Sequence, residues 1–444
     1  MCCSACWPCA RSTEPLVTPP AEHMGKPRIV IVGGGFAGVA AARKLRHVDA
    51  EVLVIDRRNH HIFQPLLYQV ATAVLAPTDI AASLRQLAHK QRNVSVLLAE
   101  VSGVDLAAKV LHVEPPGLPA RAVSFDYLVV AAGVRPSYFG HDEFAAYAPS
   151  LKTLADAEAI RSRILGAYER AEQAESAAER ECAMSFILVG AGPTGVELAA
   201  SIAHMARVTL RSDFRHIDPA DTRIVLLEAG PRVLGTFDKA LAHKAAERLT
   251  ALGVEVHTGA RVEQVDARGV VFGGERIDAL TVLWTAGVQA SPVVGMLCAK
   301  TDRAGRVLVE SGLSLPGHSR VFVVGDAASL MQDGHPVPGV VQAAIQQGGY
   351  AGRRIAAAIH GTAAPASFRY FDRGNMAVVG KNFALLERGR IRFSGLLVWM
   401  LWAFIHVAFL PQLQNRLRVQ MQWLWSYFSG QRSSRLILET PAAG

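Results

Sequence analysis

Six glycines in two sets of three are the residues whose spacing most directly specifies chemistry. Gly33, Gly35 and Gly38 form a G-x-G-x-x-G turn, and Gly190, Gly192 and Gly195 form a second. In such a turn the first glycine permits the tight strand-to-helix reversal and the second lets the backbone approach a pyrophosphate. The third lets the helix pack against the strand, and the helix N-terminus then presents its partial positive charge to the phosphates. Phe36 and Ala37 lie inside the first turn, Pro193 and Thr194 inside the second, and they are counted with the glycines as cofactor-binding candidates. Each turn is followed by an acid suited to accept hydrogen bonds from a ribose: Asp56, 18 residues after Gly38, and Glu228, 33 residues after Gly195. Glu228 suits a free 2′-hydroxyl and repels a 2′-phosphate, so its site is predicted to prefer NADH over NADPH.

Elements of matching type flank both turns. Arg28 to Val32 reads as a buried parallel strand, an Ala-rich helix runs from Val39 to about His47, and Glu51 to Ile55 is a second strand. The pattern recurs 157 residues later, with a strand at Ser185 to Val189, a helix from Val196 to about Ala206 and a strand at Arg223 to Leu227. The late position of Glu228 makes Arg207 to Asp221 an insertion. Two copies of one strand–helix–strand unit are an internal repeat, and strands alternating with helices imply doubly wound α/β domains. A charged, helical segment from Thr153 to Glu181 leads into the second copy, and Arg320 to Val324 returns to strand-like sequence. The second unit therefore reads as inserted in the first: residues 25–150 and 290–365 form one domain and 151–289 the other. Tyr370 to Phe393 looks like strands, Ser394 to Phe428 looks helical, and 366–444 is set apart as a C-terminal region.

The 444 residues are half hydrophobic and 19% charged, with a net charge of +8, apolar for a soluble enzyme. The charge is local: Arg388 to Leu438 holds seven Arg and no acid, along with four of the six Trp. A basic segment rich in Trp points to a membrane surface. Cys182 and Cys298 are far apart, and Cys2, Cys3, Cys6 and Cys9 crowd a Pro-rich extension. The spacing argues against a disulfide framework, no metal site is predicted, and residues 1–24 are expected to be disordered.

Three further stretches resemble the glutathione-reductase-like flavoproteins. Ser319-Arg-Val-Phe-Val-Val-Gly325-Asp326 is similar to that family's late FAD motif, Phe125 to Gly133 to its crossover strand (with Ala132 in place of the usual Thr), and Trp284-Thr-Ala-Gly287 to a matching strand end in the nicotinamide domain. The resemblance implies FAD at Gly33 to Gly38, with Gly325, Asp326, Ala132 and Gly133 contributing, and a nicotinamide dinucleotide at Gly190 to Gly195 with Gly287. Disulfide reductases of this family carry a cysteine pair shortly after the first unit. Asn59 to Gln69 holds no Cys, which excludes a dithiol relay there.

His61 to Thr72, Pro338 to Gly348, Tyr370 to Gly380 and the Trp-rich tail resemble type II NADH:quinone oxidoreductases, a likeness that runs from about residue 27 to 437. It implies two electrons passing from NADH through FAD to a membrane quinone, without proton pumping. It places Gln64 beside the FAD and Gln342 and Gln346, on one helix face at i, i+4, in the quinone pocket. Glu197, in the first turn of the second glycine helix, is a candidate for proton delivery or substrate positioning. A soluble NADH-dependent reductase using oxygen or a small redox protein is the alternative enzyme, and a protein with a merely structural flavin the alternative class. For the tail three readings stand: a buried core or dimer helix, a single span, or a monotopic pair of amphipathic helices. Ser394 to Leu410 offers 17 residues before Pro411 with no acid and no base except neutral His406, at the lower edge of a span. The tryptophans favour an interface, so residues 394–428 are expected to lie on a bilayer, at the cytoplasmic face of a bacterial inner membrane. The aromatic tail is also compatible with a homodimer.

Overall fold

The computed structural model describes residues 25–438; the N-terminal extension with its four cysteines lies outside them. Two largely parallel sheets organise the chain. The first is built from β1 (Arg28–Val32), α1 (Phe36–Lys44), β2 (Glu51–Asp56), the short helix α2 (Leu67–Ala71), β3 (Val94–Leu98) and β4 (Tyr127–Val130). The second follows with α3 (Leu154–Glu172), β5 (Ser185–Val189), α4 (Pro193–His204), β6 (Arg223–Glu228), β7 (Val254–Thr258) and β8 (Thr281–Trp284). The chain then returns to the first sheet through β9 (Ser314–Leu315) and β10 (His318–Val323), and continues into the long helix α5 (Val341–His360). The strand orders are β9-β10-β4-β1-β2-β3 and β7-β6-β5-β8. One doubly wound α/β unit is thus inserted in another.

The apolar runs behave as both-sides-buried parallel strands must. Ile29, Val30 and Ile31 are wholly enclosed, as are Phe186, Ile187 and Leu188. Helix α5 packs closely on α1 because Gly348 faces the Ala37 carbonyl with no room for a Cβ. The segment after β5 departs from the sequence expectation. The helix starts at Pro193 and runs through His204 into one π-helical turn, Met205–Thr209. That turn opens the insertion that delays Glu228.

After α5 comes a three-stranded antiparallel sheet (Asn375–Val378, Ala384–Arg388, Ile391–Gly395), then α6 (Leu396–Phe409) and α7 (Leu413–Ser429). Leu410, Pro411 and Gln412 separate the two helices, as expected where proline removes a backbone donor and clashes with the preceding turn. Among the described residues no helix is long and apolar enough to cross a membrane. Both helices are half-committed to the interior. Val398, Trp402, Val407, Leu410 and Val419 are buried in the same cluster as Tyr168, Phe186 and Val196. Leu397, Phe404 and Phe428 are more than 70% exposed.

Candidate active site

The two glycine turns share one construction. The Asp56 carboxylate accepts hydrogen bonds from the backbone N–H of Gly34 (2.6 Å) and Arg58 (2.8 Å). Glu228 accepts from Ala191 and Gly230, both at 2.7 Å. Each acid therefore braces its own turn, a role the sequence did not reveal, and retains lone pairs for a ribose. Gly33 and Gly190 hold φ of +106° and +103° against backbone that leaves no space for a Cβ, and a Cβ on Gly38 or Gly195 would collide with the carbonyl of Gly33 or Gly190. Gly35 and Gly192 instead face open space, the arrangement a pyrophosphate needs. Arg232, the cation nearest Glu228 in sequence, donates to the Gly235 carbonyl at 2.8 Å.

The remaining cofactor candidates distribute around these turns. Phe36 meets His61 edge-on at 4.8 Å and Phe63 at 5.9 Å. Ala37 is buried, Pro193 is exposed and opens α4, and Thr194 is half-buried beside it. Gln64 is exposed at the start of a short 3-10 turn. Ala132 and Gly133 are half-buried beyond β4, and the Gly133 carbonyl accepts from Ser291 N at 3.1 Å. Gly287 adopts a left-handed φ of +71° and lies under the ring of Phe139.

Asp326 supplies the test of whether FAD fits. Asp326 is half-buried beside α1, and burial raises its pKa while Lys152 and Arg306 lower it. Among the described residues it accepts no hydrogen bond. A half-buried carboxylate without a protein partner has lost part of its hydration, and hydroxyls of a ribityl chain would satisfy it. Two residues the sequence reading missed support this corner. Gln347, 2% exposed, accepts from Gly325 N at 2.6 Å and so holds the turn carrying Asp326. Lys152 is half-buried and its charge lowers the Asp326 pKa, while burial lowers its own. The residues present fit the cofactor.

A separate cavity of about 130 Å³ lies between α2, α4, α6 and α7. Trp399, Trp402 and Trp423 wall it, and Tyr68, Gln69, Glu197, His204, Lys381 and Arg432 supply its polar groups. Burial pushes the Glu197 carboxyl up to about 8, partly opposed by a 3.4 Å hydrogen bond from Val378 N. Burial, aided by Arg432, pushes His204 down to about 4. The Tyr68 phenol is pushed far up by burial, then by Glu197. Trp423 Nε1 donates to Gln69 Oε1 at 2.7 Å, Gln69 Nε2 to Tyr68 Oη at 3.1 Å, and Lys381 Nζ to the Tyr427 carbonyl at 2.8 Å. Of the three catalytic candidates only Glu197 reaches this space.

Gln342 and Gln346 lie outside that cavity. Gln346 accepts from Phe371 N and donates to the Phe371 carbonyl, both at 2.9 Å. Gln342 accepts from Arg373 N at 2.9 Å and donates to the Gly374 carbonyl at 3.1 Å. Both amides pin segment 371–374 against α5 as an added strand would. The i, i+4 spacing correctly put them on one face, but their partners come from a distant loop that no spacing announces.

The comparisons with known proteins agree with this architecture. Residues 27–348 match the model of the pyridine nucleotide-disulphide oxidoreductase family. The chain is 42% identical to the type II NADH:quinone oxidoreductase Ndh of Mycobacterium tuberculosis, over 97% of this chain and 93% of that one. It is 27% identical to a probable NADH dehydrogenase of Dictyostelium discoideum, over 91% and 90%. In fold it is similar to the NDH2 of Plasmodium falciparum, whose structure was solved with NADH, at a TM-score of 0.84 and 18% identity over 93% of this chain and 100% of that one. This chain belongs to the pyridine nucleotide-disulphide oxidoreductases and, among them, to the type II NADH:quinone oxidoreductases.

Proposed function

We propose that this protein is a membrane-surface flavoenzyme that takes two electrons from NADH and delivers them to a quinone. FAD, when bound, carries the electrons between the two substrates. Gly33, Gly35 and Gly38 with Asp56, Gly325 and Asp326 hold it in the unit formed by residues 25–150 and 290–365. Gly190, Gly192 and Gly195 with Glu228 hold the nicotinamide dinucleotide in 151–289, and the acid favours NADH. The quinone head group enters the cavity under the C-terminal helices, where residues from 366 onward meet the second unit.

Glu197 carries the reading. A carboxyl pushed up to about 8 keeps its proton at neutral pH, and a quinone gaining two electrons needs protons at its oxygens. The carboxyl faces a cavity walled by tryptophans whose flat apolar rings suit a quinone ring. Gln342 and Gln346 act as positioning residues, holding segment 371–374 beside α5. The exposed apolar faces of α6 and α7 lie in the lipid head-group region, with Arg416 and Arg418 beside anionic lipid, on the cytoplasmic face where NADH is present.

Steady-state turnover with NADH against a panel of quinones in liposomes tests the reading. The expected result is rapid quinone reduction with NADH well above NADPH in kcat/KM. Electron transfer to oxygen or a soluble redox protein at rates no quinone matches overturns it.

A further inference from the structure

One wall of the cavity under the C-terminal helices is a single stripe of α4. Glu197, Ala200, Ser201 and His204 all line the space, at i, i+3, i+4 and i+7, the spacing of one helix face. The stripe is polar at its two ends. Glu197 and His204, both half-buried, stand two turns apart, about 10 Å along the axis. Between them Ala200 offers only a methyl group, and the Ser201 hydroxyl is taken by Thr72 Oγ1 at 2.7 Å.

Arg432 fixes the hydrogen that His204 carries. Its Nη2 lies 3.2 Å from His204 Nδ1. A guanidinium has only donors, so Nδ1 accepts and the ring proton sits on Nε2. Burial, reinforced by the Arg432 charge, keeps the ring from taking a second proton at neutral pH. Arg432 is itself anchored by the carbonyls of Thr72 and Ser201, so the fold sets the tautomer. Nε2 has no partner among the described residues and is not sealed from solvent. Other polar groups of the cavity are engaged in its walls: Gln69 with Trp423 and Tyr68, and Lys381 with the Tyr427 carbonyl.

We propose that the quinone ring lies along α4, with one carbonyl oxygen at Glu197 and the other accepting a hydrogen bond from His204 Nε2–H. The assignment rests on the quinone reading above. A para-quinone carries its oxygens at opposite ends of one ring, so two donors that each stand one hydrogen-bond length beyond an oxygen lie about 10 Å apart. Two turns of α4 supply that separation. An ortho-quinone, with adjacent oxygens, reaches only one end. His204 exchanges no proton. Its fixed N–H draws charge toward the far oxygen as the ring gains electrons, while Glu197 supplies a proton at the near one.

Turnover in liposomes with NADH and a short-tailed para-benzoquinone tests the assignment. His204→Leu is expected to raise the KM for quinone about tenfold, as for the loss of one hydrogen bond, with the KM for NADH unchanged. His204→Gln, whose amide N–H can stand in for Nε2–H, is expected to recover most of that loss. An unchanged quinone KM in the Leu variant, equal rises in both KM values, or a Gln variant as impaired as the Leu variant overturns the proposal. Infrared difference spectra of the wild-type enzyme need no variant: the quinone is isotopically labelled at one carbonyl and then at the other. Both carbonyl stretches are expected to fall below their values in an apolar solvent, and one stretch left unshifted overturns the proposal. A wild-type enzyme that reduces no quinone overturns the quinone reading instead.

Discussion

Glu197 links burial to turnover through a single proton. Its folded pKa of about 8 stands above the ordinary 4.5 because the enclosed carboxylate loses its hydration. If the neutral acid delivers the proton, quinone reduction falls as pH rises through about 8. Glu197→Gln should lower the rate of flavin reoxidation by quinone at least tenfold and flatten that limb, while anaerobic reduction of the flavin by NADH keeps its wild-type rate. Rapid mixing of the two half-reactions measures this, and equal loss in both removes the role. The linkage to stability has the same origin. Between about 4.5 and 8 the native state holds a proton that the unfolded chain has released, so the contribution of Glu197 to stability declines as pH rises through that window. The Gln variant should lose that slope in denaturation curves. The sequence placed Glu197 in the first turn of a glycine-motif helix, where an acid is unremarkable. Only the walls contributed by α2, α6 and α7 make it a half-buried acid facing a cavity.

At the scale of elements, the C-terminal strap is part of the site it covers. Just after α7, Arg432 is 4% exposed and, among the described residues, pairs with no carboxylate. Its guanidinium donates to the Thr72 carbonyl at 2.6 Å and the Ser201 carbonyl at 3.0 Å, and meets His204 Nδ1 at 3.2 Å. Those carbonyls lie at the C-terminal ends of α2 and α4, where the helix dipoles present negative charge. One cation from the tail therefore ties a helix of the first unit to the helix carrying Glu197. The insertion after α4 receives the same strap: Thr209 Oγ1 donates to the Gly430 carbonyl at 3.1 Å, and Asp213 pairs with Arg435. Arg432→Met should cost about 2–3 kcal/mol by stranding two buried carbonyls, read as a lowered thermal midpoint, and should raise the KM for quinone more than that for NADH. A variant of wild-type stability and unchanged KM values would remove the tie. Cutting the chain near 390 would expose the core under Val398 and Trp402, so the anchor is not a detachable module.

On the whole molecule the apolar outer faces of α6 and α7 and the surrounding arginines make one side unlike the rest. Leu397, Met400, Phe404, Leu417, Met421, Trp425 and Phe428 are all more than half exposed, while Trp402 and Trp423 turn inward and stack at 5.5 Å. An attachment of this kind combines area burial with charge, and salt weakens only the second. Washing membranes with concentrated salt should leave most of the protein bound, and detergent should release it. Release by salt alone would show that the apolar face is covered by something other than lipid.

The sequence by itself determined the parts whose evidence is local. Gly33 to Gly38 and Gly190 to Gly195 specify two dinucleotide turns because strand, turn and helix are contiguous. The absence of Cys between Asn59 and Gln69 removed one chemistry, and Pro411 divided the tail into two helices. Only the tertiary structure decided what is assembled across distance. It gave Asp56 and Glu228 their bracing bonds and joined Gln342 and Gln346 to residues 371–374. It also closed a cavity around Glu197 with Tyr68, Lys381 and Arg432. Burial and partner geometry set those roles, and both depend on atoms up to 360 positions away along the chain, which no pattern of neighbours encodes.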